Sequence, residues 1–165
     1  MPKAAIIMGS GSDFPVVEKT ILLLKSFQVD IDVQIISAHR TPEKASEYAK
    51  KAEENGIEVI IAAAGKAAHL PGVLAAYTAL PVIGLPIKSS MMDGLDSLLS
   101  IVQMPTGVPV ATVAVNGSEN AALLAVQILS LRYPELAVRM KEYKASLVQE
   151  VEKNNMKMQE EIKKI

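Results

Sequence analysis

His39 and His69 are the only histidines in the chain, and cysteine is absent. Imidazole both gives and takes a proton near neutral pH, so these side chains are the natural candidates for acid–base chemistry. Each stands in a short loop beside a cation: Ser37-Ala38-His39-Arg40-Thr41-Pro42 and Gly65-Lys66-Ala67-Ala68-His69-Leu70-Pro71-Gly72. Arg40 is a forked, permanently charged donor suited to phosphate or carboxylate. The small residues from Ala62 to Ala68 leave room for a flat ligand against the backbone. Plainer readings stand beside these. His39 could bond a carbonyl with Arg40 merely on the surface, and His69 could be a satisfied histidine that orders its loop. A third candidate is Gly9-Ser10-Gly11-Ser12-Asp13. Its glycines admit close approach, and its hydroxyls and the helix that follows offer donors to an anion. Simple helix capping by Ser12 or Asp13 fits equally well. The loop lacks the lysine of a Walker A motif and the full dinucleotide GxGxxG. No His–carboxylate cluster has metal-ligand spacing, so no metal is expected.

All three loops follow short apolar runs. Ala4–Met8, Val33–Ile36, Val59–Ala64, Pro81–Pro86 and Pro109–Val115 read as strands, and continuous runs of this length suit burial on both faces of a parallel sheet. Helical patterns lie between and after them at Asp13–Gln28, Pro42–Asn55, Leu95–Gln103 and Glu119–Leu131. Pro42 suits a first helical turn and Gly56 a stop. The alternation implies right-handed crossovers and a three-layer α/β/α, doubly wound sheet, in which ligands bind beyond the carboxyl ends of the strands. Lys88-Ser89-Ser90-Met91-Met92-Asp93-Gly94 reads as a flap with polar tips, and Gln103–Gly107 as a closing loop or a plain turn.

One domain, 1–165, is expected: an α/β core at 1–133 and one long charged helix at 134–165. Leu136, Met140, Tyr143, Leu147, Val151, Met158, Ile162 and Ile165 form an intermittent apolar stripe along that helix. A helix of about 30 residues is roughly 45 Å long, so it must wrap the core, project from it or pack on another subunit. A subunit contact is expected, because the stripe needs cover. Half of the residues are hydrophobic, enough for a substantial core. The net charge of −1 gives no basic footprint for nucleic acid. No uncharged apolar run is long enough to span a membrane, and the start of the chain has no signal-peptide layout, so a cytoplasmic protein is expected.

Several motifs together resemble a known family. Met8-Gly9-Ser10-x-Ser12-Asp13, Ser37–Pro42, Ala68-His69-Leu70-Pro71-Gly72, Asp96–Pro105 and Asn120–Ala125 are similar, in order and spacing, to the PurE family of purine biosynthesis. The resemblance runs from about residue 3 to about residue 145. It implies a flavodoxin-like fold, a homo-octamer, and the activity of the bacterial class. That class moves the carboxylate of N5-carboxyaminoimidazole ribonucleotide to carbon without ATP, metal or cofactor. The resemblance places the 5′-phosphate on Ser10, Ser12 and Arg40, the ribose on Asp13, and the substrate beside Ser37. His39 would be the proton shuttle. The loop of Gly65, Lys66, Ala68, His69 and Leu70 would hold the migrating carboxylate. Lys66 departs from the pattern, since the bacterial class usually has glycine there. A second class, which carboxylates aminoimidazole ribonucleotide directly with CO2, tends to a basic residue at this place. That class, however, lacks the equivalent of His69 and usually has lysine in place of Arg40. Ala63 also stands where glycine is common. Direct carboxylation is therefore the alternative activity. A flavodoxin-like nucleotide or flavin protein is a remoter one, disfavoured by the scarcity of aromatic residues.

Overall fold

The computed structural model describes all residues, Met1–Ile165. Five parallel strands form one sheet in the order β2-β1-β3-β4-β5: β1 (Lys3–Met8), β2 (Asp30–Ile35), β3 (Val59–Gly65), β4 (Val82–Ile87) and β5 (Ala111–Thr112). This is the flavodoxin-like order, and the strand sequence reverses between β1 and β3. The unbroken apolar runs follow from this layering, because alternate residues of a strand face opposite sides. Ala4, Ile6 and Met8 of β1 enter one core with Val59, Ile61 and Ala63 of β3. Ala5, Ile7, Ile60, Ala62 and Ala64 enter the other.

Helices cover both faces. The first core is closed by α1 (Phe14–Ser26), α5 (Ser118–Ser130) and the start of α6 (Pro134–Ile162). The second is closed by α2 (Pro42–Lys51), α3 (Leu70–Tyr77) and α4 (Leu95–Val102). In α2 only Ala45 and Ala49, one turn apart, are buried, which lets a charged helix lie close on the sheet. In α6 only Leu136 and Met140 are buried, and Tyr143 packs at a tilt on Phe27 with ring centroids 5.9 Å apart. Beyond that point Leu147, Val148, Val151, Met158 and Ile162 are exposed. No helix is long and apolar enough to cross a membrane.

The differences from the sequence reading have physical causes. The loop containing His69 continues directly into α3, a helix that the Pro71-Gly72 pair conceals. Pro71 lies in the first turn, where its missing N–H is harmless. Gly72 makes room for Met104, whose sulfur would lie 2.7 Å from any Cβ there. The Gln103–Gly107 segment is thus a packing turn against α3. β2 begins at Asp30, three residues before the expected Val33, because an edge strand tolerates polar side chains. β5 is only two residues long and pairs with Ile83 and Gly84. α2 stops at Lys51, and the chain turns through Gly56, whose φ is +76°.

Candidate active site

The carboxyl ends of β1, β2, β3 and β4 open on one cleft of about 610 Å³ at the point where the strand order reverses. Ser10, Ser12, Asp13, Ser37, His39 and Arg40 line it from the β1 and β2 side. Gly65, Lys66, His69 and Leu70 line it from β3, and Ile87, Lys88, Ser89 and Ser90 from β4. Ten of the eleven residues expected from sequence therefore converge. Ala68 does not line the cleft: its side chain is 1% exposed and sits in the core beneath the loop.

The β1 loop is organised by a capping box. The Ser10 N–H donates to the Asp13 carboxylate at 3.2 Å, and the Ser10 hydroxyl accepts from the Ser12 N–H at 3.3 Å. The Ser12 hydroxyl donates to the Ser10 hydroxyl at 2.9 Å. Capping and a place in the cleft thus coexist in the same residues. Asp13 is 7% exposed, and burial raises its pKa above the usual carboxylate value, partly offset by the bonds from Ser10 and Ser12.

The β2 loop is a hydrogen-bonded turn. Thr41 bonds Ser37 in both directions, its hydroxyl accepting from the Ser37 N–H and donating to the Ser37 carbonyl, each at 3.0 Å. The Ser37 hydroxyl accepts from the Arg40 N–H at 3.2 Å. The Arg40 guanidinium makes no ion pair; its one hydrogen bond is a long one from Nε to the Ser37 hydroxyl at 3.5 Å.

The two histidines touch. His39 Nε2 lies 2.7 Å from His69 Nδ1, and the rings meet edge to face at a centroid distance of 4.9 Å. A bond between two ring nitrogens needs one N–H and one lone pair. The contact therefore holds one proton, and full protonation of both rings would break it. Both rings face the cleft.

Lys66 takes a left-handed backbone conformation, φ +56°. For a residue with a Cβ this costs roughly 1–2 kcal/mol, which glycine would avoid. Its ammonium also makes no hydrogen bond or ion pair with the chain. Lys88 differs: its Nζ lies 2.6 Å from Asp93 Oδ1, with the side chains 56% and 81% exposed. An ion pair this exposed is worth about 1 kcal/mol or less. Asp13 is the one carboxylate lining the cleft, against three cations, so the cleft favours an anion although the chain as a whole is slightly negative. No phenylalanine or tyrosine lines it to sandwich a flavin ring, and no group of three or more His, Asp or Glu side chains is placed to hold a metal.

Sequence reasoning passes over the residues that fix the β4 corner. Asn116 Oδ1 accepts from the Lys88 N–H at 2.9 Å, and the Ser97 hydroxyl donates to the Ile87 carbonyl at 2.8 Å. The buried Ser89 hydroxyl donates to the Asp96 carboxylate at 2.9 Å. Single polar residues that brace a backbone leave no periodic signal, although Asp96 and Ser97 fall within a motif that carries the family resemblance.

Fold and site define a class: flavodoxin-like α/β proteins whose cleft at the strand-order reversal joins a histidine pair to cations with no partner or only an exposed one. Within that class the chain belongs to the AIR carboxylase family, whose model matches residues 3–150. It is 62% identical to the N5-carboxyaminoimidazole ribonucleotide mutase of Pyrococcus abyssi, over 89% of this chain and 84% of that protein. It is 59% identical to the mutase of the same name from Thermotoga maritima, over 92% and 88%. Among solved structures, Treponema denticola PurE superposes with a TM-score of 0.87 at 32% identity, covering 95% of this chain and 98% of that one. The type II dehydroquinase of Propionibacterium acnes shares the fold alone, with a TM-score of 0.54 at 11% identity, over 79% of this chain and 99% of that one.

Proposed function

We propose that this protein is an ATP-independent mutase of de novo purine biosynthesis. It converts N5-carboxyaminoimidazole ribonucleotide to 4-carboxy-5-aminoimidazole ribonucleotide. The observation that carries the mechanism is the 2.7 Å contact of His39 with His69, set between cations in a single cleft. The activity itself is supported by relatives of that name at up to 62% identity.

Arg40, Ser10 and Ser12 take the 5′-phosphate, and Asp13 accepts from the ribose hydroxyls. Binding energy is thereby collected away from the reacting atoms and fixes the imidazole against the histidines. The N–C bond of the carbamate breaks, CO2 is released inside the cleft, and His39 gives a proton to the leaving nitrogen. C4 of the imidazole then attacks CO2, and His39, now neutral, takes the proton that C4 must lose. One imidazole serves as acid and then base, and the proton count closes. His69 orients His39 through the shared proton, and its loop, with Lys66, keeps CO2 and the new carboxylate in place. The carboxyl migrates within one molecule, so neither ATP nor a metal enters the scheme.

A cytoplasmic location follows from such a role. We also assign the exposed stripe of α6 to contacts in a homo-oligomer, an octamer by family resemblance. Removing the residues after Lys144 spares the buried Leu136 and Met140 and the Tyr143–Phe27 contact, and light scattering should then report a smaller assembly. An unchanged mass would refute that assignment.

The activity is tested by supplying each substrate without ATP. Fast conversion of the carbamate with slow, bicarbonate-dependent conversion of aminoimidazole ribonucleotide supports the mutase. The reverse pattern would make the protein a direct carboxylase, the reading that the basic Lys66 favours.

A further inference from the structure

The β4 side of the cleft carries machinery that the scheme above leaves unused. Gly65 and Ile87 are register partners on β3 and β4, so the next residues, Lys66 and Lys88, leave the sheet side by side. Both line the cleft. Their backbones are held in place by different means. Lys66 is fixed in a left-handed conformation, and Lys88 is clamped between the Ser97 bond to Ile87 and the Asn116 bond to its own N–H. Their charged ends are not held in the same way. Lys66 has no partner, and Lys88 has only the exposed Asp93. Asp93 itself lies in the left-handed region, φ +56°, directly before Gly94 at φ +97°. A rigid backbone presenting two loosely committed ammonium groups suits an anion that comes and goes.

We infer that Lys66 and Lys88 form a second anion subsite that receives the carboxylate of the nucleotide, with Asp93 as the resident counter-ion that the carboxylate displaces. The inference rests on the nucleotide reading given above and extends it to Lys88 and Asp93. The phosphate site lies over β1 and β2, and this one over β3 and β4. β2 and β4 are three strand spacings apart, about 14 Å, so a substrate with an anion at each end is gripped at both. The histidine pair lines the same cleft as both grips. The subsite distinguishes carboxylated from uncarboxylated nucleotide, and so favours retention of the carboxyl group over its loss as free CO2.

Calorimetric binding of 4-carboxy-5-aminoimidazole ribonucleotide and of uncarboxylated aminoimidazole ribonucleotide to the full chain tests this. Lys88→Gln and Lys66→Asn, the latter chosen because asparagine tolerates the left-handed backbone, should each weaken the carboxylated ligand about tenfold. The uncarboxylated ligand should change by less than about twofold, since it lacks the group these cations hold. Asp93→Asn removes the competing counter-ion and should tighten the carboxylated ligand about two- to fivefold. Equal losses for both ligands, no loss for either, or weaker binding in Asp93→Asn would overturn the subsite. If the native chain binds neither nucleotide, the substrate assignment falls with it; if it binds both and the variants match it, only the subsite falls.

Discussion

The two ends of the one sheet treat charge in opposite ways. At the amino end, Glu58 directly precedes β3 and accepts from Tyr133 at 2.9 Å and from Arg132 at 3.0 Å, tying the start of α6 to the sheet. The Lys3 ammonium nearby donates to the Asn55 carbonyl at 3.1 Å. At the carboxyl end, Arg40 and Lys66 have no acidic partner, Lys88 has only an exposed one, and two histidine ring nitrogens meet at 2.7 Å. The end whose charges satisfy one another supports the fold. The end whose charges are left open is the one we assign to the nucleotide, and the backbone beneath it is braced by Asn116, Ser97 and Asp96 rather than by the charges themselves. Functional sites commonly hold such local unfavourable features at the expense of stability.

Substitutions at the two ends should therefore separate activity from stability. The largest effect is expected at His39. His39→Asn keeps a polar side chain without acid–base capacity, and should lower turnover about 10³-fold with nucleotide binding within about threefold of native. Turnover near the native rate would remove His39 from proton transfer. Next is Arg40→Lys, which keeps the charge but loses the fork. It should weaken nucleotide binding about tenfold and leave the melting temperature unchanged, because Arg40 contributes almost nothing to the fold. A melting temperature that drops with binding unchanged would place Arg40 with the supporting charges instead.

Glu58→Ala is the converse case. It strips partners from Tyr133 and Arg132 at once, and should lower Tm by about 2–4 °C without changing kcat. Scanning calorimetry and a steady-state assay together decide it. A fall in kcat at native Tm would mean that the two ends are coupled through β3, and would undo the contrast drawn above.

How legible these regions are from sequence differs for a physical reason. Strands buried on both faces must be continuously apolar, so β1, β3 and β4 are plain from residue types alone. β2 at the edge and the two-residue β5 carry less burial and are less sharply marked. α3 is hidden because Pro71 and Gly72 are ordinarily loop residues, and here one begins a helix and the other admits Met104. The cleft is largely readable, since histidines, an arginine and hydroxyls stand at strand ends. Their assignment to roles comes from the family resemblance rather than from spacing. Three things are not readable: the direct His39–His69 contact, the left-handed backbone of Lys66, and the bracing by Asn116. Each depends on which loops meet in space, and no local pattern encodes that.

Asp13 provides the subtlest test, because it belongs to both sides of the contrast. It completes the capping box, which supports the fold, and it is the cleft's own carboxylate. Its pKa is raised by burial, above the 3.8 of a free aspartate. The folded state then holds the proton more tightly than the unfolded state. Its stabilising contribution is complete below pH about 3.8 and is lost as the pH rises through the folded value. At neutral pH the buried charge opposes folding. An asparagine at this position could still accept from the Ser10 N–H and would have no charge to bury. Asp13→Asn should thus match the native chain in Tm at pH 4 and exceed it by about a degree or two at pH 7, on the order of 0.5 kcal/mol. It should also bind nucleotide more weakly, having lost its strongest acceptor. If the native chain instead gains on the variant as pH rises, the hydrogen bonds outweigh burial, and Asp13 belongs with Glu58 among the charges that the fold itself requires.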